Sequence, residues 1–261
     1  MDGCKPVETP EVTNDVLNTY GVLEDKDRQE QMKGKPYREL VGALLYAAIL
    51  TRIDIAHAVY QLSKHNNAPM EAHWNAGKRV LRYLKGTSSL KLKFGGENTF
   101  NSENAICVVL AFCDADHAND KQDRKSVTGV IVKLNGDVVS WSSKKQSVVA
   151  GSTCEAEYLA MYKAVQHILF LRNELQDMGL NVENNSKVYC DNKAATILAK
   201  TDVLHDRSKH IDTKYHMIRD NVNKNIINVE WISTEEQQAD LLTKALPVGI
   251  FRKLREKLLH A

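Results

Sequence analysis

Four short acidic motifs limit what this chain can fold into more than any other feature. They are Phe112-Cys113-Asp114-Ala115-Asp116, Glu155-Ala156-Glu157-Tyr158, Val188-Tyr189-Cys190-Asp191-Asn192 and Gln238-Ala239-Asp240-Leu241. Two of them end apolar, strand-like runs, and two lie within or at the start of helix-like stretches. Carboxylates spread from Asp114 to Asp240 meet at one point only if a fold gathers them. Gathered acids repel each other unless a cation sits between them. The cation expected at such a site is Mg²⁺, and its expected chemistry is phosphate-ester hydrolysis.

The remaining residues fit a globular protein of one large or two small domains: 261 residues, 43% hydrophobic and 26% charged. A formal charge of +2 neither demands nor excludes a nucleic-acid partner, so a local basic patch matters more than the total. Five cysteines without a CxxC pair argue against a disulfide framework or a thiolate zinc site, and a reducing compartment is expected. Cys107, Cys113 and Cys190 lie in apolar runs and read as buried thiols. The start of the chain has no signal-peptide pattern. The longest apolar run, Leu40 to Leu50, is too short to span a bilayer, so no membrane association is expected.

Residues 1–35 are polar and carry Pro6, Pro10, Gly21 and Gly34, which reads as extended or poorly ordered chain. Helices are expected from Tyr37 to Leu50, from an Asp54 cap through Leu62, and from Met70 to Leu84. On the third, Lys78, Arg82 and Lys85 share a face, which is either solvated or in contact with phosphates. A Gly-, Ser-, Asn- and Thr-rich stretch over 87–104 marks a domain boundary. Beyond it, strands are expected over Ile106–Cys113, Val127–Leu134, Val138–Ser142, Lys187–Cys190 and Ile226–Ile232. The second and third flank the hairpin turn Asn135-Gly136-Asp137. Helices are expected over Thr153–Met178, Asn192–Lys200, Ser208–Val222, Glu235–Ala245 and, basic and amphipathic, Val248–Leu259.

In a mixed α/β sheet, ligands gather beyond the strand ends. Asp114 and Asp191 would approach each other if their strands are parallel neighbours. Glu157, in the first turns of the long helix, and Asp240, after the last strand, could complete the cluster. Two Mg²⁺ ions about 3.5–4 Å apart could then be held. Period two leaves Asp114 and Asp116 on the same strand face, so spacing does not choose between them. Glu155 and Glu157 point about 200° apart on a helix. Glu157 lies closer to the apolar stripe of Tyr158, Met161 and Val165, with Ala160 and Ala164 small enough for close sheet packing. Singly, each acid also reads as a surface or capping residue, and Asp191 and Asp240 as helix-start acids.

Read together, the motifs resemble the C-terminal part of the Pol polyprotein of copia-type LTR retrotransposons. The resemblance runs through Tyr37-Arg38-Glu39-Leu40-Val41-Gly42, His73-Trp74, Lys78 to Thr87, and Asp114-Ala115-Asp116. It continues through Ser140-Trp141-Ser142-Ser143-Lys144-Lys145-Gln146, Glu155-Ala156-Glu157-Tyr158, Cys190-Asp191-Asn192, Lys209-His210-Ile211-Asp212 and Gln238-Ala239-Asp240 to Pro247. It implies a ribonuclease H-like mixed five-stranded α/β domain over 105–245, preceded by a small helical reverse-transcriptase tail over 1–95 and followed by a basic helix over 246–261. Its acidic set carries over to Asp114, Glu157, Asp191 and Asp240, as both catalytic residues and ligands of two Mg²⁺ ions, with Mn²⁺ as the substitute. Glu157 is preferred to Glu155 because Ala160 stands three places after it, as in the family.

The resemblance further implies an RNA/DNA hybrid as substrate, hydrolysis of its RNA strand during reverse transcription, and a reverse-transcriptase portion as partner in cis or trans. An intracellular setting follows: cytoplasmic and particle-like, with the nucleus as a second compartment. Lys78, Arg82, Lys85, Arg124, Lys144 and Lys145, with Lys121 and Lys125, are candidate phosphate contacts. The polymerase's Tyr-x-Asp-Asp signature is absent, and Met1 falls inside what would be continuous reverse transcriptase. His117, Asn119, Ile53 and Cys154 depart from frequent family residues, but none removes an acid. No His lies between Trp231 and Asp240, which weakens a proton-shuttling role for His210 or His216. The alternative is a non-catalytic remnant that binds nucleic acid or a partner chain. A zinc site from His205, His210, His216 and Cys190 is disfavoured by spacings of five and six residues.

Overall fold

The computed structural model describes residues 3–13, 17, 25–95, 106–120, 123–201 and 209–261. Its helices are α1 (Asp25–Met32), α2 (Tyr37–Leu50), α3 (Ala56–Ser63), α4 (Glu71–Gly86), α5 (Thr153–Asp177), α6 (Lys193–Lys200), α7 (Lys209–Asn223) and α8 (Val248–Glu256). Its strands are β1 (Ile106–Cys107), β2 (Val109–Asp116), β3 (Val127–Leu134), β4 (Asp137–Lys145), β5 (Asn181–Val182), β6 (Ser186–Cys190) and β7 (Ile227–Trp231). They form two compact units, Met1–Leu92 with Lys244–Ala261, and Lys93–Thr243. No helix among the described residues is long and apolar enough to cross a membrane.

The first unit is helical. Part of the segment read as extended is helix α1, whose Asp-, Glu-, Gln- and Lys-containing sequence lacks Gly, Pro and β-branched residues. Helix α2 buries Tyr37, Val41, Leu44 and Ala48. Asp54 does not cap a helix. It lies buried in a 3₁₀ turn over Ile53–Ile55, where Arg52 donates to both its oxygens at 2.9 and 2.7 Å. Tyr83 of α4 donates its hydroxyl to the same carboxylate, and Arg52 also donates to Thr87 Oγ1 at 2.6 Å. The C-terminal helix belongs to this unit: Phe251 meets the Tyr83 ring edge-on, 5.7 Å between centroids. Of the basic face proposed on α4, Arg82 donates to the Lys5 carbonyl at 2.7 Å and Lys85 to the Cys4 carbonyl at 3.2 Å, while Lys78 is half-buried.

The second unit has the expected mixed α/β architecture, a five-stranded sheet of order β4-β3-β2-β6-β7. β2, β3 and β4 are antiparallel neighbours; β6 pairs parallel with β2, and β7 parallel with β6. The β3–β4 turn is Asn135-Gly136, with φ of 52° and 92°, the left-handed pair of a type I′ hairpin. Helix α5 packs on one face through Ala156, Tyr158, Ala160, Met161, Val165 and Ile168, against Ala111, Cys113, Val130, Val188 and Cys190. Alternation sends Phe112 and Asp114 to the other face, where Phe112 stacks on Tyr189 at 5.0 Å.

Two expected elements differ. The strand from Ile106 is broken at Val108, because the Asn135 side chain accepts the Val108 N–H at 2.8 Å and Asn135 donates to the Val108 carbonyl. β1 pairs with β5 instead, parallel and apart from the main sheet. The helix expected over Glu235–Ala245 is two 3₁₀ turns, Thr234–Glu236 and Gln238–Leu242. Besides its own short-range 3₁₀ hydrogen bonds, this segment is held by distant groups: buried Gln237 donates to the Cys113 carbonyl at 2.9 Å. It lies so close to β3 that a Cβ on Gly129 would come within 2.8 Å of both the Ala239 oxygen and Thr243 Cγ2.

Asp54→Ala would strand the buried Arg52 guanidinium, at an expected cost of about 3–5 kcal/mol in urea unfolding of the first unit. The double change Arg52→Met with Asp54→Leu should recover most of that loss. Equal stability of the single and double variants would show that the pair is not what the fold leans on.

Candidate active site

β2 and β6 are the parallel neighbours that the acidic pair requires. Their ladder aligns Ala111 with Val188 and Phe112 with Tyr189. Two residues further on, the same register sets Asp114 beside Asp191, where neighbouring strands run about 4.8 Å apart. Helix α5 starts at this end of the sheet and brings in Glu157, and the 3₁₀ turn after β7 brings in Asp240. Asp114, Glu157 and Asp240 are buried, and Asp191 is half-buried.

The four acids make two overlapping groups. Ligand atoms of Asp114, Asp191 and Asp240 lie within 4.8 Å of one another, as do those of Glu157, Cys190 and Asp191. Asp191 belongs to both. It sits at the strand end, past the point where the sheet separates its two faces, so it can meet Asp114 from one side and Glu157 from the other. Trp231 Nε1 donates to its carbonyl at 2.9 Å, and Thr234 Oγ1 to its Oδ2 at 2.8 Å. Asn192 caps α6 by accepting the Ala195 N–H at 3.0 Å.

Two ambiguities of the sequence separate in space. Asp116 is half-buried at the strand end and accepts from the Asn119 side chain, outside both groups. Glu155 is a capping residue: its Oε2 accepts the Gly151 N–H at 2.8 Å, while its own N–H donates to Ser152 Oγ at 3.2 Å.

The electrostatics are those of a site built for a cation. Burial, then the Asp114 charge, pushes the Glu157 carboxyl up to about 11, against the pull of the Ala115 N–H. The Cys190 thiol beside it, and burial, hold the Cys113 thiol well above the ordinary range. Both cysteines are free and buried. Each group is dominated by carboxylate oxygens, the donors preferred by hard divalent cations, so the residues present fit Mg²⁺ or Mn²⁺.

The basic residues divide. Lys145 is committed to Asp120 at 2.9 Å and Asp123 at 3.0 Å. Lys144 and Arg124 are exposed, and the register of β4 on β3 places Lys144 at the acidic end of the sheet. A groove beside it is lined by Lys144, Tyr162, Lys163, His167 and Lys214. The Lys163 and Lys214 ammonium groups lie 5.9 and 5.8 Å from the Tyr162 ring centroid. Sequence reasoning missed Lys163 and Lys214 because they come from different helices. It missed Thr234, Gln237 and Thr243 because their partners are distant in the chain. His205, Lys121 and the His210 side chain lie outside the described residues, and His216 is exposed.

With this geometry in hand, the relatives are informative. A retrovirus-related Pol polyprotein from transposon TNT 1-94 of Nicotiana tabacum is 39% identical over 256 residues, covering 98% of this chain and 19% of that one. The Pol polyprotein from transposon RE2 of Arabidopsis thaliana is 38% identical over 255 residues, covering 98% and 17%. Over nearly its whole length the chain is similar to the Pol polyproteins of copia-type retrotransposons. It spans about a fifth of the length of these Pol relatives. No protein-family model matches it. Among solved structures, LC11 ribonuclease H1 in complex with an RNA/DNA hybrid is 16% identical, with a TM-score of 0.39, covering 52% of this chain and 93% of that one.

Substituting each member of the glutamate pair separates capping from metal binding. Glu155→Ala should cost about 1 kcal/mol of stability and leave the Mg²⁺-induced rise in melting temperature intact. Glu157→Gln should diminish that rise while remaining folded. The reverse pattern would exchange their roles.

Proposed function

We propose that this protein is a divalent-metal-dependent endonuclease that hydrolyses the RNA strand of RNA/DNA hybrids during retrotransposon reverse transcription. The observation that carries this reading is the pair of ligand groups sharing Asp191 at the carboxyl ends of two parallel strands. One group would hold a cation through Asp114, Asp191 and Asp240, the other through Glu157 and Asp191. When bound, two such ions supply an activated water and charge stabilisation at the leaving oxygen.

The chain's own residues do the rest. The carboxylates fix where the scissile phosphate can sit, because a phosphodiester approaches them only with cations between. Burial of Asp114, Glu157 and Asp240 lowers the local dielectric and strengthens every charge interaction there. Lys144, Lys163 and Lys214 offer a track for phosphates beside the acids, and backbone contacts of this kind suit recognition of a duplex by shape. Domain roles follow: 105–245 as the nuclease, 1–95 as reverse-transcriptase tail and 246–261 as a basic extension. A polymerase portion acts in cis or trans, and the setting is cytoplasmic and particle-like.

The direct test incubates the purified chain with a hybrid labelled on its RNA strand, with Mg²⁺ and with EDTA. Mg²⁺-dependent RNA cleavage, lost in Asp191→Asn, is the expected result. A folded chain that binds the hybrid and leaves it intact would support the non-catalytic remnant instead.

Replacing Lys144, Lys163 and Lys214 together with Ala should raise KM more than it lowers kcat. It should also flatten the salt dependence of hybrid binding by about one unit of slope for each lysine removed. Unchanged salt dependence would move the duplex off this groove.

A further inference from the structure

The segment after β7 does more than deliver Asp240. Its Thr243 is fully buried, and the Thr243 hydroxyl donates to Asp114 Oδ2. Nine residues earlier, Thr234 donates to Asp191 Oδ2 at 2.8 Å. Between them, Gln237 is tied to the Cys113 carbonyl, one residue before Asp114. The methyl of Thr243 occupies the space that a Cβ on Gly129 would need, and Gly129 is the β3 partner of Asp114. One stretch of chain thus grips the two strand-end acids by their side chains and carries a third.

We propose that Thr243 and Thr234 are positioning residues, each donating to one carboxylate oxygen and so fixing the rotation of Asp114 and Asp191 toward a shared divalent cation. The inference rests on the nuclease reading and deepens it. A carboxylate on a strand end turns about its Cβ–Cγ bond, and two acids that turn independently form a ligand set only part of the time. A hydroxyl bonded to one oxygen selects one orientation. Buried Thr243 competes with no water for its bond. Thr234 is exposed, so its contribution is the smaller.

The test measures Mn²⁺ binding to the full chain by thermal shift and by calorimetry, without substrate, for wild type, Thr243→Val, Thr243→Ser and Thr234→Val. Valine keeps the shape and removes the hydroxyl; serine restores the hydroxyl and removes the methyl. Thr243→Val should weaken Mn²⁺ about 10–100-fold, the range for removing a partner of a metal ligand. Thr243→Ser should return it toward wild type, and Thr234→Val should fall between. A folded Thr243→Val that binds Mn²⁺ like wild type overturns the proposal. So does failure of serine to rescue, which would make the methyl packing on Gly129 the whole role. If Thr243→Val does not fold, Thr234→Val decides: unchanged Mn²⁺ affinity there overturns the proposal. Wild-type protein that shows no Mn²⁺ response at all fails the nuclease reading itself, separately from the threonines.

Discussion

Mutual repulsion among four carboxylates is the constraint on which the rest of the second unit depends. At about 4 Å and an effective dielectric of about 20, each like-charged pair costs on the order of 4 kcal/mol. The acids do not drift apart because each sits on an element fixed by something else. Asp114 is held in the central strand, paired on both sides. Glu157 is on a 25-residue helix that buries Tyr158, Met161, Val165 and Ile168, each large apolar side chain contributing about 1.5–3 kcal/mol. Asp240 is pinned through Gln237 and Thr243. The apolar core under α5 supports the charged end of the sheet.

The two faces of the sheet divide the labour. On one side, the odd-numbered residues of β2 and the small residues of α5 pack tightly, and Cys113 and Cys190 fill the last layer before the acids. On the other, Asp114 meets the 3₁₀ segment across Gly129. Asp191 connects the faces because it lies just beyond the last ladder pair, where period two no longer confines a side chain to one side. The two candidate ligand groups overlap only at this residue. The strand end is therefore the one place in the sheet where such a cluster can be assembled.

Much of this was legible in the sequence, and what was not has a common cause. The hairpin was legible because Asn135-Gly136 carries its own turn chemistry, and α5 because its apolar stripe repeats over many turns. The four acids were legible from their contexts together. Asp114 and Asp116 could not be separated by period alone; the 3₁₀ segment decides between them by covering one face near Asp114. That segment itself read as helix because its local pattern is helical. Its real geometry comes from bonds to Cys113 and Asp114, more than a hundred residues away. Asp54 read as a cap for the same reason: its partner Tyr83 lies on another helix.

The basic residues carry the same logic to recognition. The chain carries 35 Lys and Arg against 33 Asp and Glu, and the structure commits several of the cations. Lys145 is held by Asp120 and Asp123, Arg52 by Asp54, and Arg82 and Lys85 by main-chain carbonyls. Lys144, Lys163 and Lys214 line one groove of the second unit. Three phosphate contacts give a salt slope of about −3, too shallow for tight binding at physiological ionic strength. The two features are thus unequal: Asp114, Glu157 and Asp240 are buried and their segment cross-braced, while the row of lysines is short. If the chain acts as the nuclease proposed above, a neighbouring segment must present the hybrid to it. On that proposed reading, a polymerase joined in the same polyprotein would supply the hybrid at high effective concentration without any added contact from this unit.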